Sequence, residues 1–377
     1  MPFTPDMKII SADTHLEVSP DRWRSYVDRE FREFVPNVIR LDNGGDAWVL
    51  PNSPAPVPLG TNFAAGIPRH RWNGPVAYDE NPPGSGDGAQ RVAELDRDGI
   101  WAEIEYPAVQ GQRAFHSLVP RDAYIAIVRG YNDWLSQEHT AADPDRLLGV
   151  ALLPATGLEE TIEEYVRVSS MPGICSVILH HWPSGGAAPS DDDDRFWAAV
   201  QDVGFPVSVH VGLGARTSGA TVAKGHFNHQ TAVGTFGASN YTQWSIVQFI
   251  LTGVFDRFPA MTMFFAESGI SWVPAYLERI DNGYERHRDW TGFSLARMPS
   301  EYIRERCLFG FQDDAYGVKH RDEIGVDKIM WANDFPHSAG DWPDSLAVIE
   351  RLFADVPDDE VRLVLHDNAA RYFKLPA

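Results

Sequence analysis

Cysteine is scarce in this sequence, and its scarcity excludes several classes of protein. Only two of the 377 residues are cysteines, Cys175 and Cys307, too few for a disulfide framework and too far apart for a CxxC motif. Both lie in apolar runs. We therefore expect buried free thiols and a reducing, cytoplasm-like compartment.

Long apolar runs are also absent. No run approaches the roughly 18 residues that a membrane-spanning helix requires. Residues 1–8 lack the basic region and the apolar core that a signal peptide combines. These two observations predict a cytoplasmic protein that does not contact a membrane.

Positive charge is in deficit. The chain has 32 lysines and arginines against 53 acidic residues, and its formal net charge is −21. No cluster of basic residues interrupts the acidic background. Binding to nucleic acid or to an anionic membrane needs such clusters, so we expect neither, and we expect a small-molecule substrate instead.

Apolar strands alternate with helical segments through most of the chain, and this alternation predicts the fold. The first strand begins at Ile9, and seven more follow at residues 100–106, 147–153, 174–179, 206–211, 261–266, 307–311 and 328–332. Eight strand–helix repeats favour a closed (β/α)8 TIM barrel formed by residues 1–377 as a single domain. A doubly wound sheet is the alternative, but its Gly-x-Gly-x-x-Gly motif is missing after the first strand.

Residues 43–88 break the alternation. They are rich in proline, glycine and asparagine, and they carry scattered aromatic residues such as Trp48 and Trp72. Long irregular segments inside a compact domain are usually covers over functional sites or are disordered. The aromatic residues favour an ordered cap, inserted into the barrel, that shapes substrate specificity.

The end of the first strand carries side chains typical of metal ligands. Asp13, His15 and Glu17 alternate with other residues, so they share one face of the strand. Such a face at the carboxyl end of a barrel strand suits metal binding. The plainer alternative is a strand that ends in ordinary polar residues.

Later strands end in similar residues. His210 ends the fifth strand, Glu267 the sixth and Asp334 the eighth, with His337 three residues further on. In a barrel these positions converge on one cavity, where so many carboxylates would be costly without a cation. Any one of them alone would be interpreted as a hydrogen-bonded polar residue, but the joint pattern indicates a divalent metal.

These motifs resemble those of the amidohydrolase superfamily, in particular the branch that includes aminocarboxymuconate semialdehyde decarboxylase and the resorcylate-type decarboxylases. The similar features are the Asp-x-His start, His210, the segment from Asn333 to His337 followed by Trp342-Pro343, and the ending Asn-Ala-Ala-Arg-Tyr from Asn368. The resemblance covers nearly the whole chain. It implies a (β/α)8 barrel in which the residues at positions 15, 17, 210 and 334 hold a metal.

Two positions depart from that family pattern. The decarboxylases usually have His-x-His or Glu-x-His at the first strand, whereas this chain has His15-x-Glu17. They also carry a catalytic histidine after the sixth strand, where this chain has Glu267. Carboxylate-rich sites suit harder or redox-active metals and readily bridge two ions. The ligand set is similar to that of the few amidohydrolase-like barrels that are dinuclear iron or iron–manganese monooxygenases.

Three functional hypotheses follow. The favoured one is a dinuclear iron, or iron–manganese, monooxygenase that hydroxylates an aliphatic C–H bond, with O2 and an electron-donor protein as partners. The alternative is a mononuclear zinc or manganese decarboxylase or hydrolase of a small carboxylated substrate. The third is a non-enzymatic barrel that assembles with a catalytic homologue, and we expect an oligomer of barrels.

The hypotheses share a set of candidate residues. The metal ligands would be Asp13, His15, Glu17, His210, Glu267 and Asp334. Catalytic roles would fall to Glu267, which has a positioning role as its alternative, and to Asp334 and His337. Substrate contacts would come from His181 and Trp182 after the fourth strand and from Arg216, whose guanidinium suits a carboxylate. The alternatives are core packing for Trp182 and a surface position for Arg216.

Overall fold

The structure is a computed structural model that describes residues 7–72, 74–108, 118–154, 156–186, 189–213, 241–292 and 294–375. Its strands are β1 (Ile10–Leu16), β2 (Asn37–Arg40), β3 (Asp46–Val49), β4 (Val57–Pro58), β5 (Ala102–Pro107), β6 (Leu147–Leu152), β7 (Ile174–Leu179), β8 (Val207–His210), β9 (Met263–Ala266), β10 (Cys307–Phe311) and β11 (Ile329–Trp331).

The helices surround the strands. They are α1 (Gly88–Asp98), α2 (Arg121–Trp134), α3 (Leu158–Val168), α4 (Asp194–Val203), α5 (Tyr241–Leu251), α6 (Val254–Arg257), α7 (Val273–Thr291), α8 (Pro299–Arg306), α9 (Ala315–Lys319), α10 (Arg321–Ile324), α11 (Ser345–Leu352), α12 (Asp358–Arg362) and α13 (Asn368–Tyr372). Among the described residues no helix is long and apolar enough to cross a membrane.

Within these ranges, eight parallel strands form one sheet in the order β1-β5-β6-β7-β8-β9-β10-β11. The two outer strands of this sheet meet beyond the end of β11. The amide of Asp334 donates to the carbonyl of Asp13 at 3.1 Å, and the amide of His15 donates to the carbonyl of Phe335 at 2.7 Å. The sheet is therefore a nearly closed (β/α)8 barrel, which confirms the fold predicted from the sequence.

Most barrel strands are buried and mainly apolar because both of their faces are covered. All residues of β6 and β7, for example, are buried, as parallel strands with one face in the barrel and one under helices must be. Cys175 in β7 and Cys307 in β10 are buried free thiols, as predicted. The core is thus the barrel interior together with the layer between strands and helices.

The cap segment contains a small antiparallel sheet in the order β2-β3-β4. This sheet begins at Asn37, slightly before the predicted start of the insertion. The amides of Ala64 and Ala65 both donate to the carbonyl of Pro336, at 2.9 and 3.0 Å. Gly84, with φ +88°, packs so closely that an added Cβ would lie 2.5 Å from the Pro336 ring. The cap is therefore attached to the loop that follows β11.

Candidate metal centre

Three strand ends at the mouth of the barrel carry an unusual backbone conformation. Val211 follows β8 with φ 60°, Glu267 follows β9 with φ 50°, and Asp334 follows β11 with φ 51°. Positive φ is uncommon outside glycine and is especially unfavourable for a β-branched residue such as valine. Such strain persists where the surrounding structure enforces it, often at functional sites. This conformation turns the backbone at or next to the predicted metal ligands.

His15 lies at the centre of a cluster of ligand-type side chains. Its Nε2 is 3.1 Å from Nε2 of His210, 3.2 Å from Oδ1 of Asp334 and 3.6 Å from Oδ1 of Asp13. His210 Nε2 is also 3.5 Å from Asp13 Oδ1. Asp13, His15 and His210 form one group of potential metal ligands. The structure thus brings together four residues that the sequence predicted as ligands.

A second group overlaps the first. His15, Asp334 and His337 also offer ligand atoms that lie within 4.8 Å of one another. His337 Nε2 is 3.1 Å from Oε1 of Glu17, and His337 Nδ1 is 3.5 Å from Oδ1 of Asp334. Because His15 belongs to both groups, the geometry is compatible with one ion or with two neighbouring ions.

Two carboxylates of the cluster lack the hydrogen bonds that buried oxygens normally have. Asp13 and Asp334 are buried, yet neither oxygen of either side chain accepts a hydrogen bond from the residues that the structure describes. Buried carboxylates without donors are strongly unfavourable unless a cation or a proton compensates them. Two such carboxylates beside two imidazoles fit a divalent cation.

Glu267 differs from the other members because it faces both the cluster and solvent. Its Oε2 is 3.6 Å from Nε2 of His210, and 31% of its side chain is exposed. It is therefore able to approach an ion bound near His210 or to face a substrate that enters from the barrel mouth.

The electrostatics of the cluster follow from burial and mutual repulsion. Burial raises the pKa of Asp13 to about 8 and that of Glu267 to about 7. Burial alone would also raise the pKa of Asp334, but the positive charge of His337 and the neighbouring imidazole of His15 hold it below its usual range. Burial alone would lower the pKa of His337, but Asp334 and Glu17 raise it well above its ordinary value. The cluster without a cation therefore retains protons, which is typical of a site built for positive charge.

The predicted substrate contacts have different outcomes. His181 is the second residue after β7 and is half-buried. Trp182 is fully buried, with ring centroids 6.3 Å from Trp197 of α4 and 5.0 Å from Phe249 of α5. It therefore packs in the layer between helices, because the turn after β7 directs it outward. Arg216 lies outside the described residues.

Two buried networks beside the cluster were not predicted from the sequence. In one, Asn333 Oδ1 accepts from the Ser11 hydroxyl at 2.9 Å, and Asn333 Nδ2 donates to Asp98 Oδ2 at 3.0 Å. In the other, Arg91 contacts Glu103 and the backbone of His15. The local sequence signal is charge inside a mainly apolar stretch, as at Glu103 and Glu105 in β5.

The fold and the cluster define a (β/α)8 barrel with a candidate metal site at its mouth. Comparison with known families agrees with this class of protein. The model of the amidohydrolase family matches residues 63–375. The chain therefore belongs to the amidohydrolase family, as the motifs at its strand ends indicated.

Solved structures extend the comparison at low sequence identity. 5-Carboxyvanillate decarboxylase LigW from Sphingomonas paucimobilis is 17% identical with a TM-score of 0.67, covering 98% of this chain and 100% of that chain. An amidohydrolase from Mycobacterium avium subsp. paratuberculosis K-10 is 17% identical with a TM-score of 0.72, covering 98% and 99%. A dihydroxybenzoic acid decarboxylase from Polaromonas sp. JS666, with bound manganese and the inhibitor 2-nitroresorcinol, is 18% identical with a TM-score of 0.68, covering 98% and 97%. These likenesses establish the shared fold.

Proposed function

We propose that this protein is a divalent-metal-dependent enzyme that decarboxylates or hydrolyses a small carboxylated substrate, with Asp13, His15, His210 and Asp334 as metal ligands. The observation that carries the proposal is the pair of buried carboxylates without hydrogen bonds, Asp13 and Asp334, beside the facing imidazoles of His15 and His210. The decarboxylases that share the fold, one of them with bound manganese, support this choice.

The metal would supply Lewis-acid polarisation of a substrate oxygen and would lower the pKa of a bound water. The chain would supply the proton transfers. Glu267 combines partial exposure with a pKa of about 7, so its carboxyl group is suited to give or take a proton near neutral pH. In this role Glu267 would replace the histidine that related decarboxylases carry after the sixth strand.

His337 and Glu17 would act as a second polar pair. His337 is held by Glu17 at 3.1 Å, and its raised pKa keeps a positive charge at the rim of the cluster. That charge is placed to attract the carboxylate of a substrate. The half-buried His181 and Arg216, which lies outside the described residues, remain proposals as further substrate contacts.

A second candidate function is supported by the overlapping second group of ligand atoms, His15, Asp334 and His337. With Glu17 and Glu267 added, the cluster offers more donors than one ion needs, and carboxylates bridge pairs of iron or manganese ions. In this alternative the protein is a dinuclear monooxygenase that consumes O2 and receives electrons from a donor protein.

Metal content and oxygen dependence discriminate between the two functions. Iron, manganese and zinc would be measured per chain, and CO2 release from a panel of hydroxylated benzoates would be assayed without oxygen or reductant. About one ion per chain with anaerobic turnover is the expected result. Two redox-active ions with turnover only in the presence of O2 and an electron donor would favour the monooxygenase. Protein that binds no divalent ion after reconstitution would exclude both.

A further inference from the structure

We propose that Arg91 is a positioning residue that fixes the distance between the ligands His15 and Asp334. It does so by binding the backbone carbonyl of His15 and the ring of Phe335, the residue after Asp334. Its guanidinium Nη1 donates to the carbonyl oxygen of His15 at 3.0 Å. The guanidinium also lies over the ring of Phe335, 4.4 Å from its centroid. The inference rests on the proposed metal site, because it assigns a role toward those two ligands.

The contacts of Arg91 span the point where the barrel closes. Phe335 directly follows Asp334, and its carbonyl accepts from the amide of His15 at 2.7 Å. Arg91 therefore contacts both segments of this junction. It binds the His15 carbonyl through a hydrogen bond and the Phe335 ring through a cation–π contact. At this junction His15 Nε2 lies 3.2 Å from Asp334 Oδ1. A shift of the junction would change the distance between two metal ligands.

The guanidinium is itself held by a buried ionic network. Arg91 is 2% exposed, and two of its nitrogens donate to the carboxylate of Glu103 on β5. Its Nε also lies 3.6 Å from Glu105, which pairs with His139 at 2.8 Å. A fork of fixed geometry that contacts Glu103, the His15 carbonyl and the Phe335 ring together needs arginine, because lysine offers a single point charge.

Two sets of variants separate positioning from folding. Arg91→Lys keeps the charge but loses the fork. Arg91→Met combined with Glu103→Gln removes the buried pair together, so that no unpaired charge is left in the core. Glu103→Gln alone keeps the bond to the His15 carbonyl and is the reference for the double variant.

The matched control is Arg146→Lys. Arg146 also joins α1 to strand backbone: it pairs with Asp96 at 2.7 Å and donates to the carbonyl of Trp101 at 2.7 Å. Trp101 directly precedes β5, so this contact lies at the opposite end of the barrel from the cluster. A loss of general packing between α1 and the barrel would affect both arginine variants, whereas a loss of positioning would affect only Arg91→Lys.

The measurement is Co²⁺ affinity by chelator competition, together with the visible absorption spectrum of the cobalt-loaded protein. We expect Arg91→Lys and the double variant to bind Co²⁺ about 10- to 100-fold more weakly, as is typical when residues that hold ligands are changed. Their visible band should also change in position or intensity. Arg146→Lys should stay within about threefold of wild type with an unchanged band. Glu103→Gln should fall between wild type and the double variant, because Arg91 keeps its bond to the His15 carbonyl but loses the charge that holds it.

The experiment distinguishes failure of the role of Arg91 from failure of the proposed metal function. Arg91→Lys and the double variant that match wild type in affinity and spectrum would overturn the role of Arg91. Arg146→Lys that weakens binding as much as Arg91→Lys would also overturn it. A wild-type protein that binds no Co²⁺ would overturn the proposed metal function, and the inference with it. Wild-type protein that binds Co²⁺ but decarboxylates nothing would overturn only the proposed reaction. The affinity and the spectrum would still test the role of Arg91.

Discussion

The imidazole rings of His15 and His337 are stacked, with centroids 3.9 Å apart and planes inclined by 18°. His15 faces Asp13 and Asp334, whereas His337 contacts Glu17 as well as Asp334. The raised pKa of His337 places a positive charge directly beside a proposed metal ligand. An ion held by His15, Asp334 and His337 together would have to displace the proton of His337, so binding of such an ion should weaken as the pH falls.

Asp334→Asn should abolish metal binding at the cluster. The substitution removes the anionic charge that faces both His15 and His337 while preserving the shape of the side chain. We expect activity to fall by at least about a hundredfold, more than the 10–100-fold loss seen when only an outer contact of a ligand is removed. Elemental analysis and steady-state kinetics measure the two effects.

The control for this variant is Asp341→Asn, in the same loop after β11. Asp341 is partly exposed and pairs with Arg69 at 3.2 Å. It should retain full metal content and activity, because a surface pair of this kind contributes little. Equal losses in both variants would mean that the loop, and not the carboxylate of Asp334, is responsible.

Glu267→Gln should remove one limb of the pH–rate profile. The carboxyl has a pKa of about 7 in the cluster without a cation, and a bound cation would lower it, so Glu267 should govern the acidic limb of the profile. Loss of a general acid or base typically costs about 10²- to 10⁴-fold in kcat. Glu267→His, which introduces the residue expected from related decarboxylases, should recover part of the rate. A glutamine variant with unchanged kcat and profile would exclude Glu267 as the proton carrier.

Metal-free protein should lose stability as the pH rises from 6.5 to 8.5. The folded pKa values of Asp13 and Glu267, about 8 and 7, lie above the usual carboxyl values, so the folded state retains protons that the unfolded chain has already released. The unfolded state then binds fewer protons, and the free energy of unfolding decreases with pH. The raised pKa of His337 acts in the same direction. Melting temperatures in the presence of a chelator measure the decline.

Two comparisons test the cause of this decline. Asp13→Asn, which cannot ionise at position 13, should show a shallower dependence on pH. Saturating Mn²⁺ should flatten the curve for the wild type, because the cation compensates the carboxylates. A melting temperature that rises over the same pH interval in metal-free wild-type protein would contradict the assignment.

Asp98→Ala should destabilise the fold strongly. The buried carboxylate of Asp98 accepts from Asn333 Nδ2 at 3.0 Å, from the Ser345 amide at 3.0 Å and from the Ser345 hydroxyl at 2.6 Å. Leaving these buried donors without an acceptor should lower the free energy of unfolding by about 3 kcal/mol. Asp96→Ala, two residues earlier on α1, should cost less than about 1 kcal/mol because Asp96 pairs with Arg146 near the surface. Denaturant unfolding would establish this difference in the free energy of unfolding, provided that the two variants have equal m values.

The sequence predicts the barrel because each strand is short, apolar and followed by a helix. It also predicts which residues converge, since ligand-type side chains at the ends of parallel strands share one mouth, as for His15 and His210. It does not predict the backbone of Glu267 and Asp334, whose positive φ depends on tertiary contacts. Nor does it predict the pair Asn333 and Asp98, because 235 residues separate the two partners.

The position of Trp182 shows a second limit of sequence reasoning. An aromatic residue just after a barrel strand is compatible with a substrate pocket and with the helical layer alike, and only the course of the turn decides between them. The burial of its ring against Trp197 and Phe249 places it in the layer. Similarly, no local pattern shows that Arg91 on α1 reaches the carbonyl of His15.

The attachment of the cap to Pro336 has a thermodynamic consequence. The amides of Ala64 and Ala65 hold the carbonyl of a residue that lies between Asp334 and His337 in sequence. If the cap covers the entrance, as the sequence predicts, a substrate that moves the cap also pulls on the segment that carries these two side chains. By reciprocity of linked equilibria, a metal that orders this segment must tighten substrate binding by the same factor by which substrate tightens the metal. The entrance and the ion would then behave as one cooperative unit.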